Sequence, residues 1–127
     1  MRKQLIEFFH SPRRNAWVEL PQMKVYLRKG FHLGSDRQVH KFLDIAAVEV
    51  AFRFQRQGVF KAFLALCQQI QPYDGLLIEC ILNEDLRAYL RRLAQADPRW
   101  TERGEDFLWE NEANSENLER VAGVEPA

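Results

Sequence analysis

Residues 42–82 decide the fold. They begin with FLDIAAVEV at residues 42–50, an almost continuously apolar run that is typical of a central strand covered on both faces. The segment GVFKAFLALCQQI at residues 58–70 follows, with its apolar side chains at helical spacing. The turn QPYDG at 71–75 and a second apolar run, LLIECIL at 76–82, complete the stretch. This order predicts two buried strands joined by a helix that begins at Gly58.

The residues before this stretch predict a helix and short strands. Residues 2–10 read as an amphipathic helix that ends near Ser11 and Pro12. The runs at residues 17–20 and 23–28 predict two short strands, and apolar and polar positions alternate in the second run. Residues 30–38 predict a turn or hairpin loop before the strand at 39–50.

The residues after this stretch predict a capped helix and a terminal hairpin. Asn83 is a suitable N-cap for a helix over residues 84–96. Residues 100–109 predict a small hairpin, and the acidic residues 110–127 predict a flexible tail. We therefore expect one domain over residues 1–109 followed by this tail.

Composition and charge limit the classes of function. The chain has 127 residues, 46% hydrophobic and 12% aromatic, enough for one packed core, and this excludes global disorder. The net charge of the chain is zero. It is the sum of a net charge of +6 over residues 1–41, zero over 42–96 and −6 over 97–127. A whole-chain nucleic-acid binder is disfavoured, although the basic front could contact phosphate or an acidic protein surface.

Targeting and metal signals are not visible in the sequence. No run of residues reaches the roughly 18 apolar positions of a membrane span, and the first residues lack a signal-peptide pattern. Cys67 and Cys80 form no metal or disulfide pattern, and the three histidines have no ligand spacing. We expect a cytoplasmic protein with no metal and no membrane partner.

The start of the helix at Gly58 is a candidate anion site. A helix N-terminus presents unpaired backbone N–H groups and partial positive charge. Gly58 lets a phosphate approach the backbone, and Arg53, Arg56 and Lys61 add charge around it. The alternative is an ordinary strand-to-helix turn with solvated arginines.

The same residues resemble a known family. QRQGVF at residues 55–60 is similar to the Q/R-x-x-G-x-G/A motif of the GNAT superfamily of acyl-CoA-dependent N-acetyltransferases. The strand before it, IECILN at residues 78–83 and the terminal hairpin at residues 104–109 agree with the family's order. The resemblance covers residues 39–109.

This resemblance implies a fold and a cosubstrate. The fold is α+β of GNAT type, a mixed, mostly antiparallel sheet with flanking helices and a splayed central strand pair, its CoA-binding core at about residues 39–96. Acetyl-CoA is the implied cosubstrate, with its pantetheine arm along the backbone of Val48 and Val50 and a further hydrogen bond to Asn83. Its pyrophosphate is implied to lie on the first turn of the helix, at Gln55, Arg56, Gln57, Gly58, Val59, Phe60 and Lys61.

The candidate catalytic residues are Glu49 and Tyr89. Acetyl transfer to an amine needs a proton acceptor, and Glu49 ends the central strand, with Asp44 and Glu79 as alternates. Pairing with arginines or capping of the backbone is the structural alternative for all three. The family usually has a tyrosine seven residues after the asparagine; Leu90 is there, and Tyr89 comes one position earlier.

A second departure concerns Phe60, which replaces the motif's last small residue and could narrow the phosphate site. Two functions therefore remain open. The first is transfer of an acetyl group from acetyl-CoA to an amine by direct attack. The alternative is a catalytically weak or inactive GNAT-fold module that binds a protein partner, with or without CoA. A homodimer is compatible with either function.

Overall fold

The computed structural model describes residues 1–50, 58–79 and 84–112. Within these residues the chain forms three helices, α1 (Arg2–His10), α2 (Val59–Ile70) and α3 (Glu84–Ala96). It also forms six strands, which are β1 (Asn15–Glu19), β2 (Met23–Leu33), β3 (Val39–Val50), β4 (Gly75–Ile78), β5 (Trp100–Arg103) and β6 (Asp106–Glu110).

The six strands form one mixed sheet in the order β1-β2-β3-β4-β6-β5. The pair β3–β4 is parallel, and the other four pairs are antiparallel. Parallel neighbours need a crossover connection, and α2 supplies it here because it lies between β3 and β4 in the chain. The predicted α+β fold with a mostly antiparallel sheet is confirmed.

All three helices pack on one face of the sheet, which we call the helix face. Successive side chains of a strand point to opposite faces, so Leu43 and Ile45 of β3 share this face with Leu76 and Ile78 of β4. These four side chains are fully buried in one cluster with residues of every helix. The buried helix residues are Leu5, Phe8, Phe60, Phe63, Leu64, Cys67, Leu90 and Ala94.

The opposite face, which we call the polar face, has a much smaller apolar cluster. Phe42, Leu77 and Leu108 are buried there. Asp44 lies on the same face because it follows Phe42 by two positions in β3. Charged and histidine side chains therefore surround this small cluster.

Several boundaries differ from the sequence prediction. β1 is Asn15–Glu19 where residues 17–20 were predicted, and Gly75 begins β4 where a turn was predicted. β2 continues to Leu33, whereas a turn was predicted from Gly30, and the turn itself closes with a 2.8 Å bond from the N–H of Gly34 to the carbonyl of Gln38. Gly30 lies within β2. A Cβ at this position would clash with the carboxylate of Asp44 and the ring of His32, so the position requires glycine. Glu110 belongs to β6, so the last strand extends one residue past the predicted domain boundary.

Three predicted segments lie outside the described residues. They are the connection at 51–57, residues 80–83 with the Asn83 cap, and residues 113–127 of the acidic tail. None of the helices in the described ranges combines the length and the hydropathy needed to cross a bilayer.

Candidate functional site

The described pairing between β3 and β4 is short. Phe42–Ile45 is in register with Gly75–Ile78, and the N–H of Glu79 donates to the carbonyl of Ile45 at 3.1 Å. β3 continues beside β2 to Val50. The last described register pair of β3 with β4 is Ile45 with Ile78, and residues 80–83, which follow Glu79, lie outside the described residues.

A β-bulge lies at the same point of β3. Tyr26 of β2 is opposite Ala47, and Leu27 is opposite Ile45, so Ala46 is an extra residue in β3. A bulge bends its strand and increases the local twist. The bulge thus bends β3 directly after Ile45, its last described register partner with β4.

The N-terminus of α2 has the features of an anion site. Gly58 is its N-cap in the left-handed conformation (φ 74°, ψ 11°), and as a glycine it has no side chain with which to cap the helix. The first turn contains no acidic residue, and it contains Lys61. Since the first N–H groups of a helix have no acceptor within the helix, this end can hold a phosphate on backbone amides. A Cβ at Gly58 would meet nothing within 4 Å.

In the first turn of α2, the side chain of Phe60 packs in the core and that of Lys61 contacts α3. Phe60 is buried beside Phe63, with ring centroids 6.1 Å apart, so its ring fills the core. The Nζ of Lys61 lies 4.6 Å from the ring centroid of Tyr89. Leu90, at the usual tyrosine position of the family, is fully buried, whereas Tyr89 is half-buried against α2.

Four charged or titratable side chains form a cluster on the polar face. Arg28 of β2 makes an ion pair with Glu79, which follows β4. The Nε2 of His32 lies 2.8 and 2.9 Å from the two carboxylate oxygens of Asp44. Gly30 stands between Arg28 and His32 in β2 and leaves room for this contact, because a Cβ there would clash with the Asp44 carboxylate and lie 2.7 Å from Nε2.

Burial controls the electrostatics of this cluster. Desolvation raises the pKa of Asp44, and the hydrogen bond from His32 opposes that rise. The charge of Glu79 also raises the pKa of Asp44, and that of Arg28 lowers it. In the part of the chain that the structure describes, no group of three or more His, Cys, Asp or Glu is arranged to hold a metal ion.

Glu49 lies on the polar face farther along β3. Its side chain is exposed, and its register partner on β2 is Lys24. Val48 and Val50 point to the helix face and are half-buried against the main core. The predicted base and the predicted cofactor-binding backbone positions are thus successive residues of the same strand end.

Comparisons with known proteins agree on the fold. No protein-family model matches the chain, and no curated protein matches it. Among solved structures, the AtaT toxin bound to acetyl-CoA and the C-terminus of the antitoxin AtaR is similar, with a TM-score of 0.52, 13% identity and 81% of this chain covered. The KacTA–DNA complex matches over 96% of this chain with a TM-score of 0.56 and 12% identity. These structures have the GNAT fold. The chain has the GNAT fold.

The similarity is at the level of fold. A variant of KacT also matches, with a TM-score of 0.50 and 13% identity over 76% of this chain. The chain spans 64% of the length of the AtaT structure and 82% of the KacTA chain. The resemblance that the QRQGVF motif indicated is therefore confirmed for the GNAT architecture.

Several predicted GNAT site residues lie outside the described residues. They are Gln55, Arg56 and Gln57 of the motif, and Asn83. The structure describes the other candidates, and it brings Lys61 and Tyr89 together.

Sequence reasoning missed Arg28 and His32. Their alternation with Gly30 is a strand pattern that places all three on one face, but Gly30 was assigned to a turn.

Proposed function

We propose that this chain is an acyl-CoA-dependent N-acetyltransferase that moves the acetyl group of acetyl-CoA to an amine. The observation that carries the proposal is the N-terminus of α2 within a GNAT fold, where Gly58 takes the left-handed conformation and the first turn has no acidic residue. The AtaT structure contains acetyl-CoA, which supports the same cosubstrate here.

The residues of this chain fit a CoA pyrophosphate. The amides of Gly58, Val59 and Phe60 begin a helix whose N-cap residue has no side chain, and Lys61 adds a positive charge in the same turn. Phe60 is compatible with this role because its ring packs in the core. The backbone of Val48 and Val50, and residues Gln55, Arg56, Gln57 and Asn83, complete the proposed binding set.

Acetyl-CoA supplies an activated thioester carbonyl, which an amine attacks with loss of CoA. The protein then has two chemical tasks besides binding. A carboxylate takes the proton that the amine must lose, and Glu49, Asp44 and Glu79 all lie on the polar face. Tyr89 is the proposed proton donor to the departing sulfur, since Leu90 is enclosed in the core.

A thiol-release assay tests the activity. Purified protein with acetyl-CoA and a panel of primary amines is expected to release CoA in proportion to the acetylated amine detected by mass spectrometry. Tyr89→Phe is expected to lower kcat and leave the affinity for acetyl-CoA unchanged. Binding of acetyl-CoA with no release of CoA for any amine would instead support a non-catalytic module.

One observation favours that second candidate. Phe31, Leu33 and Val39 are large apolar side chains at the end of the β2–β3 hairpin, and they are 62%, 50% and 66% exposed. An exposed apolar group of this kind is a feature of protein-binding surfaces. A GNAT-fold module that binds a protein partner would use this hairpin.

A further inference from the structure

The closed end of the β2–β3 hairpin, residues 33–38, reaches strands on the far side of β4, and we call it the strap. The N–H of Ser35 donates to the carboxylate of Glu110 at 3.2 Å, and the Ser35 hydroxyl group donates to the same carboxylate. Arg103 donates to the carbonyl of Leu33. Glu110 belongs to β6 and Arg103 to β5, and β4 separates both strands from β3. The strap therefore crosses β4.

The strap crosses on the polar face. Glu110 lies on this face because it follows Leu108 by two positions in β6. Arg103 lies on it as well, because Thr101, two positions earlier in β5, is opposite Leu108. The small apolar cluster of this face is buried, although the helices of the described chain pack on the other face. The strap, which crosses this face, therefore covers the cluster.

The ring of His40 joins the strap to the turn before β4. Its Nε2 lies 2.7 Å from the nearer carboxylate oxygen of Asp36 in the strap, and its Nδ1 lies 3.2 Å from that of Asp74. An ionised carboxylate only accepts hydrogen bonds, so each contact needs a proton on the ring nitrogen. A neutral imidazole has one N–H, whereas an imidazolium has two. The complete bridge therefore requires protonated His40.

The charges around His40 favour its protonated form. The hydrogen bond to Asp36 raises the pKa of His40 above its ordinary value of 6.5, and the hydrogen bond to Asp74 adds to the rise. Charged and titratable groups stand on every element around the ring. They are Asp36 and Arg37 in the strap, His32 on β2, Asp44 on β3, Asp74 before β4, Glu110 on β6 and Arg103 on β5.

Polar contacts, and little apolar burial, hold the strap in place. The side chains of Leu33 and Val39 are 50% and 66% exposed, so they bury little apolar surface. Hydrogen bonds and ion pairs at a surface each contribute little, because water competes for the same groups. The loss of one such contact therefore shifts the balance between a closed and an open strap.

We propose that the strap is a proton-dependent cover of the polar face, closed over the apolar cluster while His40 is protonated and opening when His40 loses its proton. This inference does not depend on the acetyltransferase function. After deprotonation the ring has one N–H, so either Asp36 or Asp74 loses its hydrogen bond and faces a nitrogen lone pair. The strap then depends on the contacts of Ser35 and Leu33, and its opening exposes the apolar cluster.

Limited proteolysis measures the opening. Trypsin cleaves after Arg37, which is exposed in the strap, and cleavage of a short synthetic peptide at each pH corrects for the protease itself. Between about pH 6 and about pH 9 we expect the corrected rate to rise about fivefold, the effect of one hydrogen bond on an opening equilibrium. Cleavage after Arg91 in α3 is the internal reference, because unfolding of the whole molecule exposes both bonds. Equal rises at both bonds, or no rise after Arg37, overturn the proposal.

Histidine variants assign the effect to His40. His40→Gln has no charge at either pH, and its cleavage after Arg37 is expected to stay at the high-pH rate of the wild type. His10→Gln, which removes an exposed histidine of α1, is the matched control and is expected to keep the wild-type pH dependence. A pH-dependent rise that persists in His40→Gln shows that another group is the switch and overturns the proposal.

Serine variants test the cover. Ser35→Ala removes the hydroxyl contact with Glu110, whereas the control Ser11→Ala removes a hydroxyl contact with the Phe8 carbonyl at the end of α1. At about pH 6, Ser35→Ala is expected to increase the fluorescence of anilinonaphthalene sulfonate, a dye that binds exposed apolar surface. Ser11→Ala is expected to match the wild type. Equal fluorescence in Ser35→Ala and wild type would mean that the strap does not cover the apolar cluster, and the proposal would fall.

Discussion

The absence of a side chain at Gly30 makes room for a contact between two side chains on the polar face. Its backbone is an ordinary part of β2, and the space above it holds the contact between His32 and Asp44. A methyl group at this position would lie against both partners. The buried Asp44 carboxylate depends on this contact, because an unpaired buried charge is costly.

Gly30→Ala is therefore expected to lower the free energy of unfolding by about 1–3 kcal/mol, through the clash and the broken hydrogen bond. Urea denaturation measures the loss. In an Asp44→Ala background the same substitution is expected to lower the free energy of unfolding by clearly less, because the carboxylate that clashes is gone. Equal costs in the two backgrounds would show that the Asp44 contact is not the cause.

Leu90 and Tyr89 are neighbours in sequence with opposite environments. Leu90→Ala is expected to destabilise the protein by about 2–5 kcal/mol, because the side chain is fully buried. Tyr89→Phe keeps the ring beside Lys61 and is expected to change stability by less than about 0.5 kcal/mol. A destabilisation by Tyr89→Phe as large as that of Leu90→Ala would contradict this expectation.

At the scale of elements, the β2–β3 hairpin is closed by a histidine and two carboxylates. The Nε2 of His40 lies 2.7 Å from the nearer carboxylate oxygen of Asp36, and its Nδ1 lies 3.2 Å from that of Asp74. The hydrogen bond to Asp36 raises the pKa of His40 above its ordinary value of 6.5. The backbone N–H of Gln38 and the His40 ring lower the pKa of Asp36.

The contribution of His40 to stability is expected to depend on pH. A raised native pKa means that the contribution is complete below pH 6.5 and is lost as pH rises through the native value. Urea denaturation of wild type and His40→Gln is expected to show a larger difference at about pH 5.5 than at about pH 8.5. Asp36→Asn is expected to remove most of this dependence. A difference that grows with pH would contradict the assigned contacts.

At the scale of the whole molecule, one face of the sheet carries the helices and the other carries the charged cluster. This division places the proposed phosphate site, at the N-terminus of α2, on the opposite side of the sheet from the cluster of Arg28, His32, Asp44 and Glu79.

Much of this architecture could be predicted from local patterns. The helical spacing of residues 58–70 predicted α2, and a helix start after residue 83 predicted the bounds of α3, because amphipathic periodicity and capping residues are local signals. The cluster of Arg28, His32, Asp44 and Glu79 could not be predicted, because it depends on the register of three strands. The prediction placed Gly30 in a turn, because glycine is common in turns. In the structure Gly30 lies in a strand, where its missing side chain leaves room for the contact between His32 and Asp44.

The most direct test of the account is calorimetric titration of acetyl-CoA into wild type and two glycine variants. Gly58 and Gly104 both have positive φ (74° and 61°), and a Cβ at either one would meet nothing within 4 Å. Glutamate at either position therefore adds the same strain and the same charge, but only at Gly58 does the carboxylate stand at the N-terminus of α2. The account predicts that wild type and Gly104→Glu bind acetyl-CoA with similar affinity and that Gly58→Glu loses at least about tenfold, roughly 1.4 kcal/mol. Equal binding by all three proteins, or no binding by wild type, would contradict it.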